Sequence, residues 1–211
     1  MTRGRSPIAV AGLAIVAFLA LLAVGAPHAL PGSPTAITSA HALKPPTLGE
    51  PFGMDDLGRS VLSRVVHGYR VSLGVALAVV YVPIIARVVR AAVLATKAEV
   101  YVEGARAVGA AAPRLVLRHI VPNCVTPLLV QASVLMAIAI LVEAALSFLG
   151  VGVRPPTPSL GLMLSDGRGF MLQAPWVVVF PGLAILAAVL GFNMLADGLR
   201  DWLDPQQAGR G

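Results

Sequence analysis

The sequence has little charge, few aromatic residues and a single cysteine. Only 12% of its 211 residues are charged and 5% are aromatic, whereas 57% are hydrophobic and the mean hydropathy is +0.83. Soluble domains are about 25% charged and about 45–50% apolar, so a water-soluble globule is excluded. Cys124 has no second cysteine to pair with, which excludes a disulfide-stabilised scaffold. The composition predicts an all-α, polytopic transmembrane protein.

The charge that is present is mostly positive. Sixteen Lys and Arg against ten Asp and Glu give a formal net charge of +6. A nucleic-acid-binding protein would cluster such residues on one face or in a recognition motif. Here they lie in short segments between apolar runs, where membrane topology places them. Nucleic-acid binding is therefore not expected, and the expected surroundings are a lipid bilayer.

Long uncharged runs predict four membrane spans. The runs cover residues 8–26, 71–86, 120–142 and 176–196. The first run follows two arginines and is also compatible with a signal peptide, but its length favours a retained span. The second run is the shortest and is closed by Arg87 and Arg90, so residues 71–90 are predicted to be a short or fused span.

Four spans place both termini on the same side of the membrane. That side carries ten Lys and Arg and the opposite side six, which marks the first as cytoplasmic. The whole chain, 1–211, is then one transmembrane domain. Its predicted order is span 8–26, external loop and interfacial helix 27–70, span 71–90, cytoplasmic segment 97–122, span 120–148, external loop 149–175, span 176–196 and cytoplasmic tail 197–211.

Residues 55–70 predict an amphipathic helix outside the membrane. Apolar residues recur there at helical spacing. The residues placed largely on the other face are Arg59, Ser63, His67 and Arg70. The pattern favours a helix in the outer interface that leads into the second span. A surface helix packed on the protein's own loops fits the pattern equally well.

The cytoplasmic segment predicts two short helices joined by an elbow. Gly109 suits the left-handed conformation that ends a helix, and Pro113 suits the first turn of the next one. Pro122 marks a break or kink near the membrane. Small residues around Gly104 let a partner approach the backbone closely, with Glu103 supplying charge at the rim. A hairpin that is merely solvated is the alternative.

Several motifs together resemble one protein family. Glu103-Gly104-Ala105, Gly109 and Val121-Pro122 resemble the "EAA…G…LP" signature of ABC-importer permease subunits. Further stretches resemble the second permease of dipeptide, oligopeptide and nickel importers, in order over nearly the whole chain. They are residues 52–59, 62–64, 68–73, 118–123, 143–150, 155–159, 180–182 and 197–201.

The resemblance implies a subunit of a bacterial inner-membrane importer rather than an enzyme. Implied partners are a second permease, two ATP-binding subunits and an extracytoplasmic binding protein. The cytoplasmic segment would be a coupling helix that transmits ATP-driven closure to the spans. The chain has no G-x-x-x-x-G-K-[ST] phosphate loop, so ATP and Mg²⁺ are expected on partner subunits and no cofactor on this chain. The expected ATPase-coupling residues are Glu103, Gly104, Ala105, Arg106, Gly109 and Pro122.

Two features depart from the family pattern. Gly104 stands where alanine is usual, which lowers helix propensity by about 1 kcal/mol. Near Val80-Tyr81 the start of a second span is joined to the end of a fourth, so roughly sixty or more residues of a six-span permease are missing. An active peptide importer, a nickel-type permease and a transport-inactive four-helix remnant therefore stay open.

Glu143 is the one ionisable residue with an expected place on the substrate path. It lies at the outer end of the third span, where an ionisable group is a functional candidate. Pairing with a local arginine or contact with water is the alternative. The four histidines have no spacing typical of a metal site, so no metal ligation is expected.

Overall fold

The structure, a computed structural model, describes residues 7–29, 33–75 and 81–203, and the fold within them is all-α, as predicted. Its eight α-helices are α1 (Pro7–Ala29), α2 (Val61–Val75), α3 (Tyr81–Lys97), α4 (Val100–Ala107), α5 (Ala112–Leu115), α6 (Val121–Phe148), α7 (Leu160–Gly167) and α8 (Trp176–Leu203). A π-helical turn, Val116–Ile120, joins α5 to α6.

Three of these helices are long and apolar enough to cross a membrane. They contain the stretches Pro7–Gly25, Pro127–Phe148 and Trp176–Asp201. The second predicted span, 71–90, is not among them, because it falls on the end of α2, the start of α3 and residues 76–80, which lie outside the described residues. Helix α3 is 17 residues long and carries Arg87, Arg90 and Lys97, so it is both shorter and more polar than the three long helices.

Helices α1 and α8 pack antiparallel with their backbones in close contact. Gly12 lies against the backbone of Leu195, and Gly198 lies against Ala9. Small residues at such crossings let helices approach without the hydrophobic driving force that water supplies to soluble proteins. The beginning of α1 and the end of α8 therefore lie at the same end of the bundle. Helix α6 packs on α8, and α3 packs on α6.

Gly12→Ala is expected to lower the free energy of unfolding by about 1–3 kcal/mol, because its Cβ overlaps the backbone of α8 rather than a movable side chain. Gly25→Ala, in the same helix, is the matched control, since nothing lies within 4 Å of a Cβ at that position. Unfolding in micelles with a denaturing detergent compares the two. Equal stability of the two variants would contradict the close crossing.

The segment before α2 folds as a cap on one end of the bundle. Residues 43–60, the cap segment, pack on the start of α8: the ring of Phe52 stacks on Phe180 with centroids 4.0 Å apart. Trp176 Nε1 donates a hydrogen bond to the carbonyl oxygen of Met54 at 3.1 Å. Gly53 has φ +70, and a Cβ there would press on the indole of Trp176.

Helix α2 begins at Val61, later than the sequence pattern suggested, and it is packed within the bundle. Residues 55–60 form a turn instead, in which Asp55 N donates to Arg59 O at 3.0 Å. Val61, Val65 and Tyr69 are buried in the main core with residues of α1, α6, α7 and α8. Whether α2 also borders the membrane interface stays a prediction.

Candidate functional site

The hairpin formed by α4 and α5 has the geometry that the sequence predicted. Gly109 has φ +84 and ends α4. Its N–H donates to Arg106 O at 3.0 Å, and the N–H of Ala110 donates to Ala105 O at 3.1 Å. These two bonds form a Schellman motif, which satisfies carbonyls that a helix end otherwise leaves unpaired. Pro113 lies in the first turn of α5, as expected.

The second arm of the hairpin runs into α6 through a widened turn. The π-helical residues 116–120 precede Pro122, which lies in the first turn of α6 and has no N–H to donate. Asn123 Nδ2 donates to the carbonyl oxygen of His119 at 2.7 Å and so supplies a donor close to the proline. The predicted break at Pro122 is therefore a change of helix type and not a separation of helices.

An apolar cluster fixes the hairpin to the two helices that flank it. Val102 of α4 is fully buried and packs with Leu115, Ile120 and Cys124. Ala92 and Val93 of α3 pack against the same cluster. Displacement of α4 would therefore move the ends of both α3 and α6, because a close-packed cluster transmits displacement rather than absorbing it.

The outward surface of the hairpin carries most of the predicted coupling residues. Glu103, Gly104, Arg106 and Gly109 are exposed, and Ala105 is half-buried. Within the described residues, Glu103 and Arg106 make no ion pair. Val108, beside Gly109, is 87% exposed, which adds an apolar side chain to the same surface.

The two remaining site residues lie elsewhere. Pro122 is exposed at the base of the hairpin. Glu143 is 21 positions further along α6, about 32 Å at 1.5 Å per residue. It is 5% exposed, and its Oε1 accepts a hydrogen bond from Ser147 Oγ at 2.7 Å. Glu143 Oε2 is buried and has no hydrogen-bond partner among the residues that the structure describes. Glu143 makes no ion pair with an arginine in the described part of the chain.

A buried ion-pair network joins the cap segment to α2 and α7, and sequence reasoning missed it. Asp55 is fully buried, accepts a hydrogen bond from Arg59 Nε at 2.7 Å and forms a closer ion pair with Arg64. Arg64 Nη2 donates to Asp166 Oδ2 at 3.3 Å. Arg59 was expected on the face of a helix away from the apolar residues, but residues 55–60 form a turn that directs its side chain to Asp55.

The network is crowded with acidic groups. Asp56 Oδ1 lies 3.6 Å from Arg59 Nη2, and burial, followed by the charge of Asp55, raises the pKa of Asp56 above its usual value. The network thus contains two arginines, Arg59 and Arg64, and three aspartates, Asp55, Asp56 and Asp166. The sequence signal was the arginine-rich stretch after Asp55-Asp56, but Asp166 is 102 positions from Arg64. No group of three or more His, Cys, Asp or Glu suited to a metal ion occurs in the ranges the structure describes.

The long apolar helices and the capped bundle define a multi-pass helical membrane protein. Residues 6–209 match the family described as "Binding-protein-dependent transport system inner membrane component". This match covers nearly the whole chain, and the protein belongs to that family of transport permeases.

Relatives that the chain resembles are dipeptide transport permeases. It is 33% identical over 264 residues to the "Dipeptide transport system permease protein DppC" of Alkalihalophilus pseudofirmus, covering 96% of this chain and 87% of the relative. It is 35% identical over 266 residues to the protein of that name in Haemophilus influenzae, covering 94% and 90%. For the Escherichia coli K12 protein of that name the identity is 36% over 270 residues, covering 96% and 90%.

These alignments are longer than the chain itself. The alignment with the Escherichia coli protein has 270 positions against 211 residues here, so at least 59 positions (270 less 211) have no counterpart in this chain. The difference is internal, because the alignment reaches over 96% of the chain. Its size agrees with the expected internal gap. The gap is expected near Val80-Tyr81. Residues 76–80, immediately before Tyr81, lie outside the described residues.

Proposed function

We propose that the chain is a permease subunit of an ATP-driven ABC importer for dipeptides and oligopeptides, and that the hairpin of α4 and α5 docks on an ATP-hydrolysing subunit. The family and the names of the relatives support the transport role. A second permease, two ATP-binding subunits and an extracytoplasmic binding protein complete the assembly. ATP and Mg²⁺ belong to the ATP-binding subunits.

The observation that carries the docking proposal is the division of the hairpin into two faces. One face is buried through Val102 on α3 and α6, and the other exposes Glu103, Gly104, Arg106 and Gly109. Neither Glu103 nor Arg106 forms an ion pair with another residue that the structure describes. Because Gly104 and Gly109 have no side chains, a partner can approach the backbone closely. A hairpin that transmits movement as a rigid body must be firmly attached to the spans and must leave its docking face accessible.

The proposed topology places the hairpin and both termini in the cytoplasm. The antiparallel packing of α1 and α8 supports a common side for the beginning of α1 and the end of α8. The larger number of Lys and Arg on the hairpin side supports its assignment as cytoplasmic. The cap segment and α7 then lie at the outer face, and Glu143 lies near the outer end of α6 on the proposed substrate path.

A second candidate is a transport-inactive permease that inserts and binds its partners. The positions missing from this chain in the alignments favour it, because they correspond in number to about two spans with their connections. A permease that lacks two spans has fewer helices to line its translocation path. Docking by the hairpin does not depend on them, since α3, α6 and the hairpin itself are all present.

Uptake and subunit binding measured together separate these functions. In a bacterial strain without other permeases of this type, the chain is expressed with a second permease, two ATP-binding subunits and an extracytoplasmic binding protein of a peptide importer, and uptake of a labelled dipeptide is measured. We expect uptake above that of the strain without the chain, together with co-purification of the ATP-binding subunits. Co-purification without uptake supports the inactive permease, uptake of a nickel chelate instead of peptide supports the nickel-type permease, and loss of both overturns the proposal.

A further inference from the structure

Two contacts fix the level of α3 beside α6. Near the start of α3, Ile85 packs against Ala139, and near its end the hydroxyl of Thr96 lies 3.3 Å from Cys124 Sγ. The two helices are therefore antiparallel, and the middle of α3 lies beside the part of α6 between these contacts. Most of that part belongs to the stretch from Pro127 onward that is long and apolar enough to cross a membrane.

Arg87 and Arg90 lie at this level, on the side of α3 that faces away from α6. Arg87 follows Ile85 by two positions, which is a rotation of about 200° around the helix. Counted from the contact of Ile85, its backbone lies about 15 Å inside the level of Pro127, and counted from that of Thr96 about 9 Å inside. Both arginines are exposed, and Arg90 is one turn nearer to the hairpin.

Neither arginine has an acidic partner within the described residues. The ion pairs found there involve only residues of the cap segment, α2 and α7. In the chain from α3 to the end of α6, the acidic residues are Glu99 and Glu103 at the hairpin and Glu143 near the far end of α6. None of these three lies between the two contacts that bracket the arginines.

A position facing lipid does not suit these side chains. An arginine within a membrane is costly, and such residues face the interior of a bundle or a water-filled cavity. A long basic side chain near the end of a span reaches the interface by snorkelling. The backbone of Arg87 is too deep for this, at about one third to one half of a hydrocarbon core roughly 30 Å thick. The outward face of α3 therefore borders water or protein.

Water suits this face better than a dry contact with another subunit. Burial against protein would require a closely placed carboxylate for each arginine, because an unpaired buried charge is strongly unfavourable. Water solvates both arginines without such matching. The proposed substrate, a dipeptide with free ends, carries a carboxylate. Arginine binds a carboxylate through two parallel N–H···O bonds, so the charge of this face complements that of the ligand.

We infer that the outward face of α3 lines a water-filled part of the substrate path and that Arg87 and Arg90 bind the carboxylate of the peptide there. The path and the peptide rest on the proposed function. The site lies in the half of the membrane nearer the hairpin. Glu143 is near the opposite end of α6, so this site is separate from the position proposed for that residue.

Access of water to this face is measured with a cysteine at position 86. Ala86 is exposed one turn before Arg90, and Ala86→Cys places a thiol about 10–16 Å inside the level of Pro127. The complex of this chain with its proposed partners is held in nanodiscs, which leave both membrane surfaces open, and is treated with the anionic reagent sulfonatoethyl methanethiosulfonate. Ala14→Cys, exposed and about 10 Å inside the spanning stretch of α1, is the matched control.

The thiol at position 86 is expected to react about tenfold faster, or more, than the thiol at position 14, because the reactive thiolate forms in water and not in hydrocarbon. The unchanged chain, whose single cysteine is buried, gives the background rate. Equal rates at the two positions would overturn the water-filled face. Ala91→Cys, exposed one turn after Arg87, is a second reporter if Ala86→Cys does not assemble.

The role of the two arginines is tested by the charge sensed at position 86. The rate with the anionic reagent is divided by the rate with the cationic reagent trimethylammonioethyl methanethiosulfonate. Arg87→Gln combined with Arg90→Gln is expected to lower this ratio about tenfold. Arg114→Gln, an exposed position in the hairpin, is expected to leave it unchanged.

Binding of the carboxylate is tested by protection of the same thiol. A dipeptide with a free C-terminus is expected to slow the reaction with the anionic reagent, whereas the same dipeptide with an amidated C-terminus is expected to have no effect. Equal protection by the two peptides, or protection by neither, would overturn carboxylate binding.

Uptake by the same complexes in vesicles separates this inference from the proposed function. Absence of uptake together with rapid, peptide-sensitive reaction at position 86 would refute transport and support the site. Uptake together with slow reaction would refute the site and assign the arginines to a contact with another subunit.

Discussion

Replacing Glu103 by lysine is expected to uncouple ATP hydrolysis from transport. In the complex, stimulation of hydrolysis by substrate-loaded binding protein should fall by about tenfold or more, because a reversed charge on a docking face meets like charge where it previously met its complement. Membrane insertion should be unaffected. Glu103 is exposed and makes no ion pair within the described residues, so the fold of the chain does not depend on its charge.

Glu99→Lys is the matched control for this change. Glu99 is exposed at the N-cap of α4, one helical turn before Glu103, and its side chain makes no capping hydrogen bond. Both substitutions therefore reverse a charge near the start of the same helix and lose a similar favourable interaction with its dipole. Full stimulation of ATP hydrolysis in the Glu103→Lys complex would contradict docking at this face. Equal loss in both variants would assign the effect to overall charge.

The hairpin was predictable because its signals are local. Gly109 and Pro113 act on the backbone within one or two residues of themselves, and the structure contains the left-handed glycine and the proline in a first turn that they predict. The three long apolar runs were equally predictable, since a helix of such composition needs no knowledge of its neighbours. The helices extend beyond the uncharged runs, as α6 does from Val121 to Phe148, because backbone hydrogen bonding continues past Glu143, which ends that run.

The cap segment and its contacts with α7 and α8 were not predictable, because they depend on residues far apart in the chain. Arg64 meets Asp166 across 102 positions, and Trp176 meets Met54 across 122. The helical periodicity of residues 55–70 was real from Val61 onward. It failed before that point because Asp55 accepts the backbone N–H groups of Leu57 and Arg59 and so stabilises a turn in place of a helix.

Helix α6 connects the two ends of the proposed mechanism. At one end Cys124 belongs to the cluster that holds the hairpin, and at the other Ala144 lies against Gly161 of α7. A helix of 28 residues spans about 42 Å. If ATP-driven movement of the hairpin tilts α6 as a rigid body, its far end moves relative to α7. One helix then couples the hairpin to the opposite end of the bundle without any relay of side chains.

Arg64→Met is expected to lower the stability of the chain by about 3 kcal/mol, which corresponds to a melting temperature lower by roughly 6–12 °C for a protein of this size. Asp55 would keep Arg59 as its only cationic partner in the described part of the chain, and Asp166 would lose its shorter ion pair. Arg64→Lys keeps the charge, but its ammonium group does not reproduce the fork that joins two carboxylates, so a smaller loss is expected.

Arg70→Met tests whether the loss belongs to the network and not to removal of an arginine from α2. Arg70 is exposed on the same helix, so its replacement is expected to change stability by no more than about 0.5 kcal/mol. Thermal unfolding in detergent, followed by tryptophan fluorescence, compares the variants, and Trp176 contributes a signal from the cap itself. If Arg64→Met has the same melting temperature as the Arg70→Met control, the ion pairs of Arg64 are compensated by water and do not stabilise the cap.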